Sequence, residues 1–429
     1  MMETIYALCT APGKAGVAIV RVSGPLAWDA CIELCGSVPE PRKLCLRAIR
    51  DRRGNALDEA LVVCFEQEKS FTGENICEFQ LHGSAAVVAA VLCELGNCTG
   101  LKIAEAGEFT RQALENGRLD LAQVEGLADL IEAETEVQRQ QAQRVLAGSI
   151  GLSAKTWRVD LIKAAALLEA TIDFVDEDVP VDVVPEVVTL VQKTLTALKS
   201  EVAGVTIAER LRDGFEVAIV GPPNVGKSTL LNALAGRDAA ITSEYAGTTR
   251  DVVEVRMDID GLPVVVIDTA GIRDTSEPIE QIGISRAKQR ASLADMRIFL
   301  GADAESLGIE NRKGDLSIQS KADLASFGQD GVSGLTGLGV EQLMERMAAE
   351  LRERYSAVGC LSRDRHKVAA QLGIQHLSAV LELVSTEQFE PDIAAEEIRS
   401  AIIALQRLVG SIDVEDVLDD IFSSFCIGK

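Results

Sequence analysis

The chain has 429 residues, 25% of them charged and 47% hydrophobic, and its formal net charge is −24. Such a charge favours solubility and excludes nucleic-acid binding by the overall field alone, so an RNA partner would need a local basic patch or a basic protein. No apolar run approaches the roughly 18 to 20 residues that span a membrane, and Met1-Met2-Glu3-Thr4-Ile5-Tyr6 lacks the basic start of a secretory signal; a soluble cytoplasmic protein of roughly two to three domains is expected.

Residues 1 to about 117 are mixed. Val17-Ala18-Ile19-Val20-Arg21-Val22 and Ala60-Leu61-Val62-Val63-Cys64-Phe65 read as strands, and Ala85 to Leu95 as a helix. Eight of the ten cysteines lie between Cys9 and Cys98, with no C-x-x-C pair. Cys31 and Cys35 have the spacing of helical neighbours, which packing explains, and with only three histidines, none near a cysteine pair, no zinc site is expected.

From about Leu119 to Val205 the pattern changes to long helices, with apolar residues three and four apart. Trp157, Leu161, Ala165 and Leu168 mark a second helix, and Pro185 opens a third at a favoured first-turn position. The acidic run Asp173, Asp176, Glu177, Asp178, Asp182 and Glu186 is punctuated by Pro180 and Pro185. It reads as a solvated loop rather than a metal site.

Next comes the most specific signal of the chain. Gly221-Pro222-Pro223-Asn224-Val225-Gly226-Lys227-Ser228 fits the G-x-x-x-x-G-K-[ST] pattern. The strand-like run Phe215 to Val220 precedes it, and the helix-like run Thr229 to Ala235 follows. A loop in that setting turns backbone N–H groups and a helix N-terminus toward phosphate. Lys227 can reach the β- and γ-phosphates, and the Ser228 hydroxyl can ligate Mg²⁺. Asp268-Thr269-Ala270-Gly271 ends a second apolar run, where an Asp holds Mg²⁺ through water and the Gly N–H meets the γ-phosphate. Gly247-Thr248-Thr249-Arg250-Asp251 lies between, with Thr249 as a second hydroxyl ligand for Mg²⁺. Together the set is similar to GTPases related to translation factors.

Base recognition departs from that pattern. Ser320-Lys321-Ala322-Asp323 stands where N-K-x-D is usual: Asp323 keeps the acceptor for the guanine donors, Lys321 can cover the base, and Ser320 replaces Asn. Ser333-Gly334-Leu335 has Gly where Ala is usual in the last guanine loop. GTP is the expected nucleotide, with weakened affinity. Beyond it, Asp364 to Val384 and Asp392 to Val409 return to helix, so the GTPase segment is expected to be inserted into one helical domain. The tail Cys426-Ile427-Gly428-Lys429 is a poor prenylation box, because Gly428 is not aliphatic and Lys is not a usual last residue. A helical run from Val414 to Phe425 would hold that tail against the domain.

Thr4 to Gly13, Ala18 to Gly24, Phe71-Thr72-Gly73-Glu74-Asn75, Asn116 to Gln123, Gly247-Thr248-Thr249-Arg250-Asp251 and the terminal Cys426-Ile427-Gly428-Lys429 form a set spread over the whole chain. With them the chain resembles one family, the tRNA modification GTPases MnmE (TrmE). The resemblance implies a multidomain α/β protein: an N-terminal α+β folate-binding-like domain (1–117), a split helical domain (118–212 and 356–429) and an inserted Ras-like P-loop GTPase domain (213–355). It implies that 5-formyltetrahydrofolate or a related one-carbon folate meets Arg21, Glu78, Arg118 and Lys429. Taken singly, Glu78 also reads as a surface strand residue and Arg118 as a helix cap.

The resemblance further implies GTP contacts from Asn224, Val225, Gly226, Lys227, Ser228 and Thr229, from Ser243, Glu244, Tyr245, Ala246, Gly247, Thr248 and Thr249, from Asp268, Thr269, Ala270 and Gly271, and from Lys321 and Asp323. No Gln follows Gly271, so Glu280 is the implied catalytic water-positioning residue. K⁺, held by Asn224, Ser243, Tyr245 and Thr248, would take the place of an arginine finger when two GTPase domains pair in a homodimer. A flavin-dependent partner, MnmG (GidA), carrying its own FAD, would join in a heterotetramer. Together they would install an aminomethyl or carboxymethylaminomethyl group on C5 of a tRNA wobble uridine, with tRNA engaged largely through the partner. Cys426 is then the implied catalytic or redox thiol. Two other readings stay open: an Era- or Der-like ribosome-assembly GTPase, which would need a basic RNA-binding domain, and a GTP-switched regulatory module without modification chemistry.

Overall fold

The alternating run at Val17 to Val22 becomes the nine-residue strand β2 (Ala15–Ser23), inside a six-stranded sheet. The structure is a computed structural model that describes residues 3–173, 183–237, 239–241, 254–268, 291–324, 330–355, 359–386, 389–410, 422 and 428. They divide into two compact units, Met1–Ala128 with Val409–Lys429, and Asp129–Leu408.

In the first unit the other strands are β1 (Thr4–Leu8), β3 (Cys45–Arg50), β4 (Ala56–Phe65), β5 (Ile76–Gly83) and β6 (Leu101–Ile103), in the spatial order β3-β4-β5-β2-β1-β6. Only β1 and β6 run parallel; the remaining neighbours are antiparallel. Because side chains alternate along a strand, Val20, Val22, Val62, Cys64, Cys77, Phe79 and Leu81 enter one core with the helices Ala27–Cys35 and Ala85–Asn97. Arg21 and Glu78, offset by one residue, are paired in register between β2 and β5. Near the C-terminus Phe422 is buried with Val124, and the Arg111 guanidinium stacks 5.1 Å from its ring.

In the second unit, Ser149–Asp173, Val184–Asp213, Asp364–Val384 and Pro391–Gln406 pack in a ring, each against two of the others. Helices from both sides of the GTPase segment thus share one bundle, with Pro185 in the first turn of the 30-residue helix. The inserted sheet comprises β7 (Phe215–Val220), β8 (Glu254–Ile259), β9 (Leu262–Asp268), β10 (Met296–Leu300), β11 (Leu316–Ser320) and β12 (Gly331–Val332), ordered β12-β11-β10-β7-β9-β8. All neighbours are parallel except β8 with β9. Successive strands fall on opposite sides of β7, so its carboxyl end opens the crevice where ligands bind in such sheets. Among the described residues no helix is long and apolar enough to cross a membrane.

Arg297, which carries no signal in the sequence, lies on β10 with only 2% of its side chain exposed, paired with Asp315 at 5%. Its guanidinium donates from Nε to Asp315 Oδ1 at 3.0 Å and from a terminal nitrogen to Glu310 O at 2.7 Å. This clamps the segment between β10 and β11. Arg297→Met strands a buried carboxylate, with an expected loss of about 3–5 kcal/mol in chemical denaturation, whereas a loss under about 1 kcal/mol would mean that Asp315 is compensated elsewhere.

Candidate functional site

The phosphate-type loop leaves β7 where β10 runs alongside. A Cβ on Gly221 would collide with the carbonyl oxygen of Leu300, so the loop can pass there only with glycine. Asn224 and Gly226 then adopt left-handed backbone, with φ of 60° and 109°, and the helix Lys227–Ala235 begins. Lys227 is 6% exposed. Its Nζ donates to Gly221 O at 2.8 Å and Pro222 O at 2.9 Å, folding the ammonium over its own loop. Burial pushes that ammonium below its usual range, opposed by the charge of Asp268. A buried cation at the start of a helix with unsatisfied N–H groups makes an anion site.

Strand pairing brings the metal-type residues level with the loop. Ile219 of β7 lies opposite Asp268, the last residue of β9. Ser228 Oγ donates to Asp268 Oδ2 at 2.6 Å. A hydroxyl and a buried carboxylate at one point form a hard-oxygen set, which fits Mg²⁺ with phosphate and water completing the shell. The other implied Mg²⁺ ligand, Thr249, lies outside the described residues, as do Ser243 to Thr248, Thr269 to Gly271 and Glu280.

The base-type loops follow β11 and β12 at the same edge. Lys321 has φ 57°, and Ala322 N donates to Val332 O at 3.2 Å, tying the two loops together. Lys321 and Asp323 are both exposed. A Cβ on Gly301, just beyond β10, would lie 2.5 Å from Val225 Cγ2 and 3.3 Å from Ser320 Oγ. Ser320 therefore stands beside the phosphate loop, where the usual Asn makes its tie. Gly334 has a steric reason of its own. A Cβ there would lie 2.6 Å from the Thr229 carbonyl carbon and 2.7 Å from Leu230 N, both backbone atoms of the loop's helix. The alanine usual at this position has no room in this chain.

A second constellation sits in the N-terminal unit. The sequence gives Arg21 and Glu78 as separate contacts; the structure joins them, with Arg21 Nε donating to Glu78 Oε1 at 2.8 Å. The pair keeps 20% and 15% of its side-chain area exposed. The Arg21 guanidinium lies 5.8 Å from the Phe71 ring centroid and 5.4 Å from that of Phe109, distances suited to cation–π attraction. Asn116 Nδ2 donates to Thr72 O at 2.8 Å, so the segments 71–75 and 116–118 meet. Arg118 lies beside Gly73 and donates to Glu68 O at 3.3 Å. Buried hydroxyls of Ser23 and Thr72 sit 2.7 Å apart, with Ser23 also donating to Gln112 Oε1. Phe109 and Gln112 escaped sequence reasoning; helical periodicity alone marks them as inward-facing. Gly428, at φ 100°, is buried against Leu8 and Cys9 at the end of β1, where a Cβ would strike the Leu8 carbonyl oxygen. Cys426 and Lys429 themselves lie outside the described residues.

Two family models match. One, described as the GTP-binding protein TrmE N-terminus, matches residues 4–118, and the other, the MnmE helical domain, matches residues 121–426. A protein of Roseobacter denitrificans named "tRNA modification GTPase MnmE" is 55% identical over 428 residues, covering 100% of both chains. One of the same name from a Ruegeria species is 56% identical over 428 residues, again with 100% of both covered.

Proposed function

From the premise that this chain belongs to the MnmE family of tRNA modification GTPases, we propose that its GTP hydrolysis drives modification of C5 of the wobble uridine in certain tRNAs, jointly with a flavin-dependent MnmG-type partner. The observation that carries the catalytic half is the convergence of Lys227 with the Ser228–Asp268 pair at the carboxyl ends of β7 and β9. In this reading Asn224 to Thr229, Ser243 to Thr249 and Asp268 to Gly271 surround the phosphates, while Lys321 and Asp323 hold the guanine. Lys227 swings from its own loop carbonyls to the β- and γ-phosphate oxygens, exchanging two neutral acceptors for charged ones. Ser228 and Thr249 would hold Mg²⁺, with Asp268 reaching it through water, and the ion would supply positive charge against that developing on the phosphates.

Glu280 orients the attacking water. Asn224, exposed on the left-handed turn of the loop, would join Ser243, Tyr245 and Thr248 in holding K⁺ if two GTPase domains pair within a homodimer. Hydrolysis should then run faster in KCl than in NaCl at matched ionic strength. Glu280→Ala should lower turnover by roughly 10²-fold, the scale of losing a proton-handling or positioning group, with GTP binding nearly intact. Equal rates in the two salts would remove the potassium half of the proposal.

The N-terminal constellation supports a folate site. Arg21 and Glu78 satisfy each other, yet both retain exposed area beside two aromatic rings, so a pterin can take donors to Glu78 while Arg118 and Lys429 meet its anionic tail. The division into segments 1–117, 118–212, 213–355 and 356–429 belongs to the same proposal. The decisive experiment measures wobble-uridine modification in tRNA from a strain lacking this protein, with and without its return on a plasmid. Unchanged modification in the deletion strain would overturn the function.

A further inference from the structure

Three cysteines that lie far apart in sequence meet in the core of the N-terminal unit. Cys31 comes from the helix Ala27–Cys35, Cys64 from β4 and Cys77 from β5, where Cys64 and Cys77 are register partners. All three are fully buried, and their sulfurs lie within 4.8 Å of one another. The Cys31 and Cys64 sulfurs are 3.9 Å apart. Cys35, one helical turn after Cys31, is only partly buried and lines an open cavity of about 600 Å³ with Glu33, Arg50 and Arg52. Its sulfur neighbours that of Cys31 but lies outside the group of three that stand within 4.8 Å of one another.

Cysteine in a core often serves as a small apolar residue, but packing alone gives no reason for three sulfurs to converge. Their spacing fits another purpose. Four thiolates around a zinc ion, each at about 2.3 Å in a tetrahedron, stand about 3.8 Å from one another. Only one of the four thiols is favoured as thiolate in the metal-free site. Hydrogen bonds from Cys35, Cys64 and Cys77 hold the Cys31 thiol well below its usual range. The hydrogen bond to Cys31 pushes Cys35 up and Cys64 up to about 12, and burial pushes Cys77 up as well. The Arg47 guanidinium favours the thiolate form of both Cys31 and Cys35, and its buried Nε has no hydrogen-bond partner among the described residues.

We propose that Cys31, Cys64 and Cys77, with Cys35 at the mouth, form a thiolate site for a soft closed-shell cation of the Zn²⁺ type. Sulfur ligands select such ions over the hard cations suited to the Ser228–Asp268 pair. Binding forms Zn–S bonds to Cys31, Cys64 and Cys77, with Cys35 the nearest further sulfur to complete the shell, and sends the remaining S–H protons to solvent, with no change of oxidation state. The cavity beside Cys35 is the entry path. No C-x-x-C spacing announces this site, because its ligands are assembled by strand register and helix packing.

The test uses the full chain, reduced and stripped with a chelator, then titrated with Zn²⁺ alone against a chromophoric competitor in weak buffer. One equivalent bound with release of protons is expected, and Co²⁺ in its place should give the intense thiolate-to-metal charge-transfer absorption. Cys64→Ala and Cys77→Ala should each lose the stoichiometric site, whereas Cys93→Ser, exposed in the same unit, should retain it. If the core variants fail to fold, Cys35→Ser at the mouth is read instead, and it should weaken binding and reduce the Co²⁺ absorption. Absence of stoichiometric binding by the parent protein, a Co²⁺ adduct without the thiolate band, or undiminished binding in these variants would overturn the proposal.

Discussion

Lys227→Met should lower GTP hydrolysis by about 10²–10³-fold, the scale on which one preorganised charge-stabilising donor acts, while leaving the fold in place. Methionine has nearly the length of the lysine stem and fills the same buried channel. What it lacks is the ammonium that donates to Gly221 O and Pro222 O. Those carbonyls lie on a loop whose course is already dictated by the close approach of Gly221 to Leu300 and by the left-handed turn at Asn224, so the loop should hold its shape. Thermal melting without nucleotide should therefore move little. Turnover within about twofold of the parent, in a variant that melts normally, would remove Lys227 from the charge-stabilising role assigned here.

Cys426→Ser should abolish wobble-uridine modification in vivo and leave GTP hydrolysis unchanged. Serine is close to cysteine in size but a far poorer nucleophile near neutral pH. Of the tail, the described Phe422 and Gly428 group with Met1–Ala128, whereas Lys227, Ser228 and Asp268 belong to Asp129–Leu408. The fit of Gly428 against Leu8 supplies a companion test. Gly428→Ala puts a methyl group onto a carbonyl oxygen and onto a φ of 100°, so it should displace the tail and lower modification with Cys426 still present. Full modification of tRNA by the Cys426→Ser protein, quantified by mass spectrometry of wobble nucleosides, would remove the thiol from the chemistry.

Elements governed by near neighbours in the chain are legible in the amino-acid sequence. The periodicity from Asp364 to Val384 matches the helix residue for residue, because an amphipathic stripe repeats every few positions. The strand, loop and helix around Lys227 follow from an apolar run and two glycines with fixed duties. The family itself is legible in short motifs, since each is a set of contacts that phosphate or a tight turn demands locally. Other features depend on which strand lies beside which, and local periodicity is silent about that. Register set Arg21 against Glu78 and made an ion pair of two residues that lie 57 positions apart. The backbone of Thr229 and Leu230 made Gly334 a steric necessity, and the return of the chain buried Gly428 against β1. Arg297 and Asp315 are 18 residues apart and carry no motif, yet burial makes them a clamp. The sequence by itself thus determined the elements, the nucleotide loop and the family, because those rest on spacings within a few residues. Only the tertiary structure decided which charges are buried together and which sulfurs meet, because burial and register are properties of segments brought together from far apart in the chain.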